Sequence, residues 1–183
     1  MTTNISILRG INVGGHRLMR MEDLRKCYEK LGFRNVTTYL QSGNVIFISE
    51  DKEPAELATS ITRQIEKDFG FTVPVLALSV GNLKRIIDGN LLAKDNERNH
   101  AFLHVTFLHS KPGKADLSSI AEKKLDGEEI SFTDRAVYLY CPKGYGSTKL
   151  NNSFLETRLK VEATTRNWKT TTELLRIALI KSL

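Results

Sequence analysis

Three observations predict an α+β fold built from two ferredoxin-like units, the split βαβ or alpha-beta plait. The first 79 residues carry apolar patterns in the order strand, helix, strand, strand, helix, strand. Residues 100–183 repeat that order with weaker signals and add a final helix. The 183 residues are 40% hydrophobic, 8% aromatic and 26% charged, the composition of an ordinary folded domain rather than of a disordered or disulfide-dense chain. The expected divisions are 1–79 for the first unit, 80–99 for a helix and connection, and 100–183 for the second unit.

In the first unit, residues 3–8 (TNISIL) alternate apolar and polar and read as a strand that ends in a Gly-rich stretch from Arg9 to Arg17. Leu24, Cys27, Tyr28 and Leu31 share a face at helical spacing, and Gly32 stands where a C-terminal cap belongs. Residues 35–41 and 44–49 are β-branched or aromatic runs, expected to form a hairpin across a two-residue Ser42-Gly43 turn. Pro54 opens a second amphipathic helix with Leu57, Ala58, Ile61 and Ile65, closed by Gly70. Residues 72–78 (TVPVLAL) supply the fourth strand.

A short helix is expected at 80–88, followed by a polar connection from Asn90 to Asn99. The second unit then offers a strand at 101–108, a helix at 116–124, a hairpin of 128–133 and 135–141, and a helix from about Asn151. An extended piece at 161–165 precedes the last helix, where Thr170 and Glu173 suggest a capping box.

Right-handed, interlocked crossovers give each such unit the strand order 4-1-3-2 with antiparallel neighbours. That order sets the end of the first strand beside the turn between the second and third. Arg9, Asn12, Gly14, Gly15 and His16 should therefore meet Gln41, Ser42 and Asn44, close to the free N–H groups that open the first helix. Flexible glycines, an amide and two arginines suit a phosphate or carboxylate cradle, and the same glycines would equally serve only to turn the chain. The stretch lacks the Lys-Ser/Thr pair of a Walker A loop and the spacing of the dinucleotide fingerprint. The same topology gathers Lys149, Asn151, Asn152, Arg166, Asn167, Trp168 and Lys169 in the second unit. Trp168, the single tryptophan, would either stack on a ring between cations or staple the final helix to the body.

LRGINVGG at 8–15, YLQSGNVIF at 39–47 and KLNNSFLETRLKVEATTRNWKT at 149–170 resemble a bacterial family of uncharacterised proteins, the domain of unknown function numbered sixteen ninety-seven. The resemblance spans almost the whole chain and implies no activity. It implies that Arg9, Asn12, Gly14, Gly15, Gln41, Ser42, Asn44, Lys149, Asn151, Arg166, Asn167 and Trp168 are the family's hallmark polar positions.

Other chemistry is mostly set aside. His100, His104 and His109 have no carboxylate or thiol at ligand spacing, so no metal and no cofactor are expected. Ser42 has no G-x-S-x-G elbow around it. No apolar run approaches the ~18 residues that span a bilayer, the start does not read as a signal peptide, and two cysteines do not make a disulfide framework. These observations point to a cytoplasmic protein with no membrane partner. Unpaired sheet edges leave a homodimer open.

The expected function is binding of a phosphorylated or otherwise anionic small molecule, nucleotides included, at the polar loop clusters. One alternative is binding of RNA or single-stranded nucleic acid. It is the weaker reading because the aromatic RNA-binding signature is missing and strand 43–48 offers Phe47 alone. Another is an enzyme for an anionic substrate, with His16 as acid or base and Arg9 and Arg166 holding the anion. The net charge of +6 is uneven: residues 143–183 hold 8 Lys or Arg against 3 Asp or Glu, which favours a local anion site over general affinity for nucleic acid.

Overall fold

The structure, a computed structural model, describes residues 1–95, 97–113 and 117–182. It divides the chain into two units, Met1–Lys84 with Leu174–Leu183, and Arg85–Glu173. The expected 80–99 connection is thus split within a helix, and the last ten residues of the expected second unit group with the first.

In the first unit, β1 (Thr2–Leu8), α1 (Met21–Lys30), β2 (Arg34–Tyr39), β3 (Asn44–Ser49), α2 (Pro54–Phe69) and β4 (Val75–Ser79) follow the expected order. The strands line up as β2-β3-β1-β4, all antiparallel, which is 4-1-3-2 read from the other edge. Both helices cover one face because their apolar residues recur every three or four positions. Leu24, Cys27 and Tyr28 of α1 and Leu57, Ile61 and Ile65 of α2 are buried there with Leu8, Val45 and Phe47. Phe33 stacks on Phe47 at 4.6 Å between centroids, Tyr28 meets Phe47 edge-on at 5.3 Å, and the Tyr28 hydroxyl lies 2.7 Å from Ser6 Oγ. Burying each of these large side chains stabilises the unit by roughly 2 kcal/mol. Gly70, at φ 75°, ends α2 in the left-handed conformation expected of a C-terminal glycine.

The hairpin turn differs from expectation. Tyr39 pairs with Asn44, so the connection is four residues, Leu40 to Gly43, and both end residues have positive φ (60° and 77°). Asn35, at φ 51°, adds a bulge between Arg34 and Thr37. The fourth strand starts only at Val75. Pro74 has no N–H to give to a ladder, while its carbonyl accepts from Arg9 N at 3.0 Å.

After α3 (Val80–Asp88), the second unit contains β5 (Leu103–Leu108), α4 (Leu117–Ala121), β6 (Glu129–Phe132), β7 (Ala136–Tyr140), α5 (Asn152–Leu159), β8 (Ala163–Asn167) and α6 (Trp168–Lys181), which begins in this unit. Its sheet order, β6-β7-β5-β8, is also antiparallel throughout and repeats that of the first. Leu108, Val137, Leu139, Leu155 and Leu159 form its core. The helix expected over 116–124 is shorter, and residue 116 lies outside the described residues. After Ala121 the chain tightens into three-residue turns, Lys123 N to Ile120 O and Lys124 N to Ala121 O. The capping box at Thr170 is replaced by an earlier cap, because Asn167 Oδ1 accepts from Thr170 N at 2.7 Å and α6 already begins at Trp168.

Candidate functional site

Asn12 joins the β1–α1 loop to the β2–β3 turn. Its Nδ2 donates to Met19 O and to Gln41 O, both at 2.9 Å, and its Oδ1 accepts from Met19 N at 2.8 Å. Its backbone lies at φ 55°, a conformation that asparagine tolerates better than most residues. Within the loop, Asn12 N donates to Arg17 O, and His16 N to Val13 O at 3.0 Å. The central Gly14 and Gly15 have φ of 58° and 77°, as a primed hairpin turn requires. Val13, Gly14, Gly15, His16, Arg17 and Leu18 are exposed.

On the facing turn, Gly43 O accepts from Leu8 N at 2.8 Å. A Cβ on Gly43 would stand 2.7 Å from Ile11 Cδ1 and 2.8 Å from Leu8 Cβ, so glycine is required both by φ and by space. Asn44 is fully buried, and its Nδ2 donates to Tyr39 O and Ser42 Oγ. Gln41 is exposed and Ser42 half-buried.

The first expected set is therefore brought together, with a division of labour inside it. Asn12 spends its side chain on the backbone, Asn44 divides its own between the Tyr39 carbonyl and Ser42 Oγ, and together they build the corner. Arg9 is half-buried beside the loop, and Arg17 lies over Gly10, its guanidinium 3.5 Å from where a Cβ would stand. The start of α1 contributes less than expected, because Glu22 and Asp23 occupy its first turn and already meet its dipole. Arg20 pairs with Asp23 at 2.7 Å, and this hydrogen bond holds the Asp23 carboxyl below its usual range.

The second expected set is spread along the chain and over both faces of its sheet. Lys149 is exposed. Asn151 caps α5 by accepting from Phe154 N at 3.0 Å, and Asn167 caps α6. Trp168 is 9% exposed and meets His100 edge-on, so its ring is not an open stacking platform. Arg166 pairs in register with Val105 while Thr165 pairs with Thr106, so these neighbours project from opposite faces. The Arg166 guanidinium donates to Thr165 O at 2.9 Å, and burial pulls its pKa down to about 10, leaving it a cation at neutral pH.

A polar group that the sequence reading did not assemble lies on the helix-covered face of the same sheet. Thr165 Oγ1 donates to Asn152 Oδ1 at 3.0 Å and lies 2.8 Å from Thr106 Oγ1, while the Tyr145 hydroxyl donates to Thr165 Oγ1 at 3.2 Å. Tyr145 stacks on His104 at 4.7 Å, and burial lowers the pKa of His104. A signal existed: His104 and Thr106 share the strand face of the core residue Leu108, where an apolar residue is the default. Among the described residues no group of three or more His, Cys, Asp or Glu is placed to hold a metal, and no helix is long and apolar enough to cross a membrane. Cys27 and Cys141 are free and buried, and burial pushes their thiols up to about 12 and about 11.

The profile of a family described as a protein of unknown function, DUF1697, matches residues 1–138. The chain belongs to that family. The matched range of this DUF1697 chain contains the Asn12 corner, whereas the motif at 149–170 lies beyond it. A solved structure similar along nearly its full length is that of a conserved bacterial protein from Streptococcus pneumoniae. The two share a TM-score of 0.74 and 22% identity, over 97% of this DUF1697 chain and 98% of the other, a likeness of fold alone. No curated protein matches the sequence.

Proposed function

We propose that the chain binds a phosphorylated or otherwise anionic small molecule where the β1–α1 loop meets the β2–β3 turn. One observation carries this reading. Residues 1–21 and 31–49 contain no Asp or Glu, so Arg9, His16, Arg17 and Arg20 of the first segment face a second segment that, like their own, offers no carboxylate. Arg20 is engaged by Asp23 at the start of α1; Arg17 is exposed and faces solvent over Gly10. An oxyanion here meets cationic side chains and the turned backbone of Gly10, Gly14 and Gly15. Arg17 and Leu40 also hold exposed side chains on left-handed backbone, at a cost of roughly 1 kcal/mol each. Strain kept at exposed positions supports a role in binding.

The sheets do not favour nucleic acid. Phe47, the aromatic candidate on β3, is fully buried in the core, and Ile5, Ile7 and Ile46 on the other face are fully buried as well. Catalysis by His16 lacks a partner: among the described residues no side chain orients its imidazole.

Thermal unfolding against a panel of nucleoside phosphates, sugar phosphates and carboxylates tests the reading. A ligand at 100 times its Kd stabilises by about 2.7 kcal/mol and raises the Tm by several degrees. Arg17→Ala should abolish most of that rise. A panel without effect, or an equal rise in Arg17→Ala, overturns the reading.

A further inference from the structure

We infer a second ligand site in the first unit, at the opposite end of β1, for an amphiphilic oxyanion: a phosphate or carboxylate head on a short apolar chain. A cavity of about 750 Å³ opens there, within the range of small-molecule pockets. The start of β1, the start of the edge strand β2, Ile48 of β3, the junction of β4 with α3 and the end of α6 meet around it. Among the described residues, the charged side chains that line it, Arg34 and Lys181, are both cationic. Lys181 is held in place, its Nζ donating at 2.8 Å to the carbonyl of Asn35, the residue at the bulge between Arg34 and Thr37.

The backbone charges agree. Ser79 Oγ accepts from Asn82 N, and Val80 and Gly81, the first residues of the nine-residue helix α3, line the cavity, so the positive end of that helix adjoins it. The opposing end of α6 is partly neutralised, because Ser182 N donates to Leu179 O and Ser182 Oγ to Ala178 O. Ile48 and Val80 supply apolar wall, and Thr3 and Ser79 supply hydroxyls. Inorganic phosphate alone would leave most of this volume empty, which is why the ligand needs an apolar body.

The site shares no residue with the Arg17 corner and stands or falls separately from it. Titration calorimetry with n-butyl phosphate tests it on four proteins: the unaltered chain, Gly81→Val, the double variant Arg34→Ala with Lys181→Ala, and Arg17→Ala. The nearest neighbour to a Cβ added at Gly81 is Ser79 Oγ at 4.0 Å, so the valine Cβ meets no clash and its methyl groups take up part of the cavity wall where the ligand would sit. Saturable binding is expected in the unaltered chain and in Arg17→Ala, weakened at least about tenfold in the other two. Absence of binding at millimolar ligand, a smaller loss in Gly81→Val or the double variant, or a loss in Arg17→Ala overturns the site.

Discussion

Asn12 Nδ2 donates to the carbonyl of Gln41 at 2.9 Å, across 29 positions of sequence, and the same amide group spans Met19 through both its donor and its acceptor. One side chain thus ties the Gly-rich loop to the neighbouring turn. Asn12→Ala removes all three bonds and places alanine at positive φ, and should cost about 3 kcal/mol. Asn12→Gly restores the backbone freedom without the bonds and should recover only part of it. Urea unfolding midpoints of the two variants measure both quantities.

Gly43 closes the same corner from the other side. Gly43→Ala drives a methyl against Ile11 and Leu8 and should cost about 3 kcal/mol, well above the fraction of a kcal/mol expected at an open site such as Gly113. Chemical unfolding of the pair Gly43→Ala and Gly113→Ala makes the comparison.

Asn151 and Asn167, grouped from sequence with the binding residues, are helix caps. Asn151→Ala and Asn167→Ala should each cost about 1 kcal/mol, with Asn151→Asp and Asn167→Asp close to neutral because aspartate caps as well. Thermal melts of the four variants check this, and none should alter ligand response at the Arg17 corner.

His104 gives the fold a pH dependence of known sign. Burial lowers its folded pKa, so the unfolded chain binds its proton first on acidification. Burial favours its neutral form, stacked on Tyr145, over the opposing pull of the Phe102 carbonyl 3.2 Å from Nδ1, so the contribution to stability is present above the unfolded pKa of about 6.5 and is lost as the pH falls through the lower folded value. Unfolding midpoints at pH 7.5 and 5.5 should differ less in His104→Phe than in the unaltered chain.

Periodicity made the architecture legible. The spacing of Leu24, Cys27 and Tyr28 and of Leu57, Ile61 and Ile65 reports one helix face each, and Gly70 marks an end because few other residues take that φ. Topology then carried Asn12 to Gln41, and Leu8 to Gly43, without any long-range signal in the residues themselves. What stayed hidden depends on conformations that residue type does not announce. Leucine has no preference for φ 60°, so the four-residue turn starting at Leu40 read as a two-residue one. Asn167 is a cap at the end of a strand, and the side of the sheet that Arg166 takes follows from a register set by Val105. The Tyr145 network combines three separate segments, and only their packing brings them together.

The central claim is that the Asn12 corner presents Arg17 and the glycine backbone to an anion. Amide NMR shifts during titration with sodium pyrophosphate, at constant ionic strength against sodium chloride, test it most directly. Saturating shifts concentrated at Gly10, Gly14, Gly15 and Gln41, lost in Arg17→Ala, are the predicted result. Shifts confined to other parts of the chain, or none beyond those produced by chloride, would contradict it.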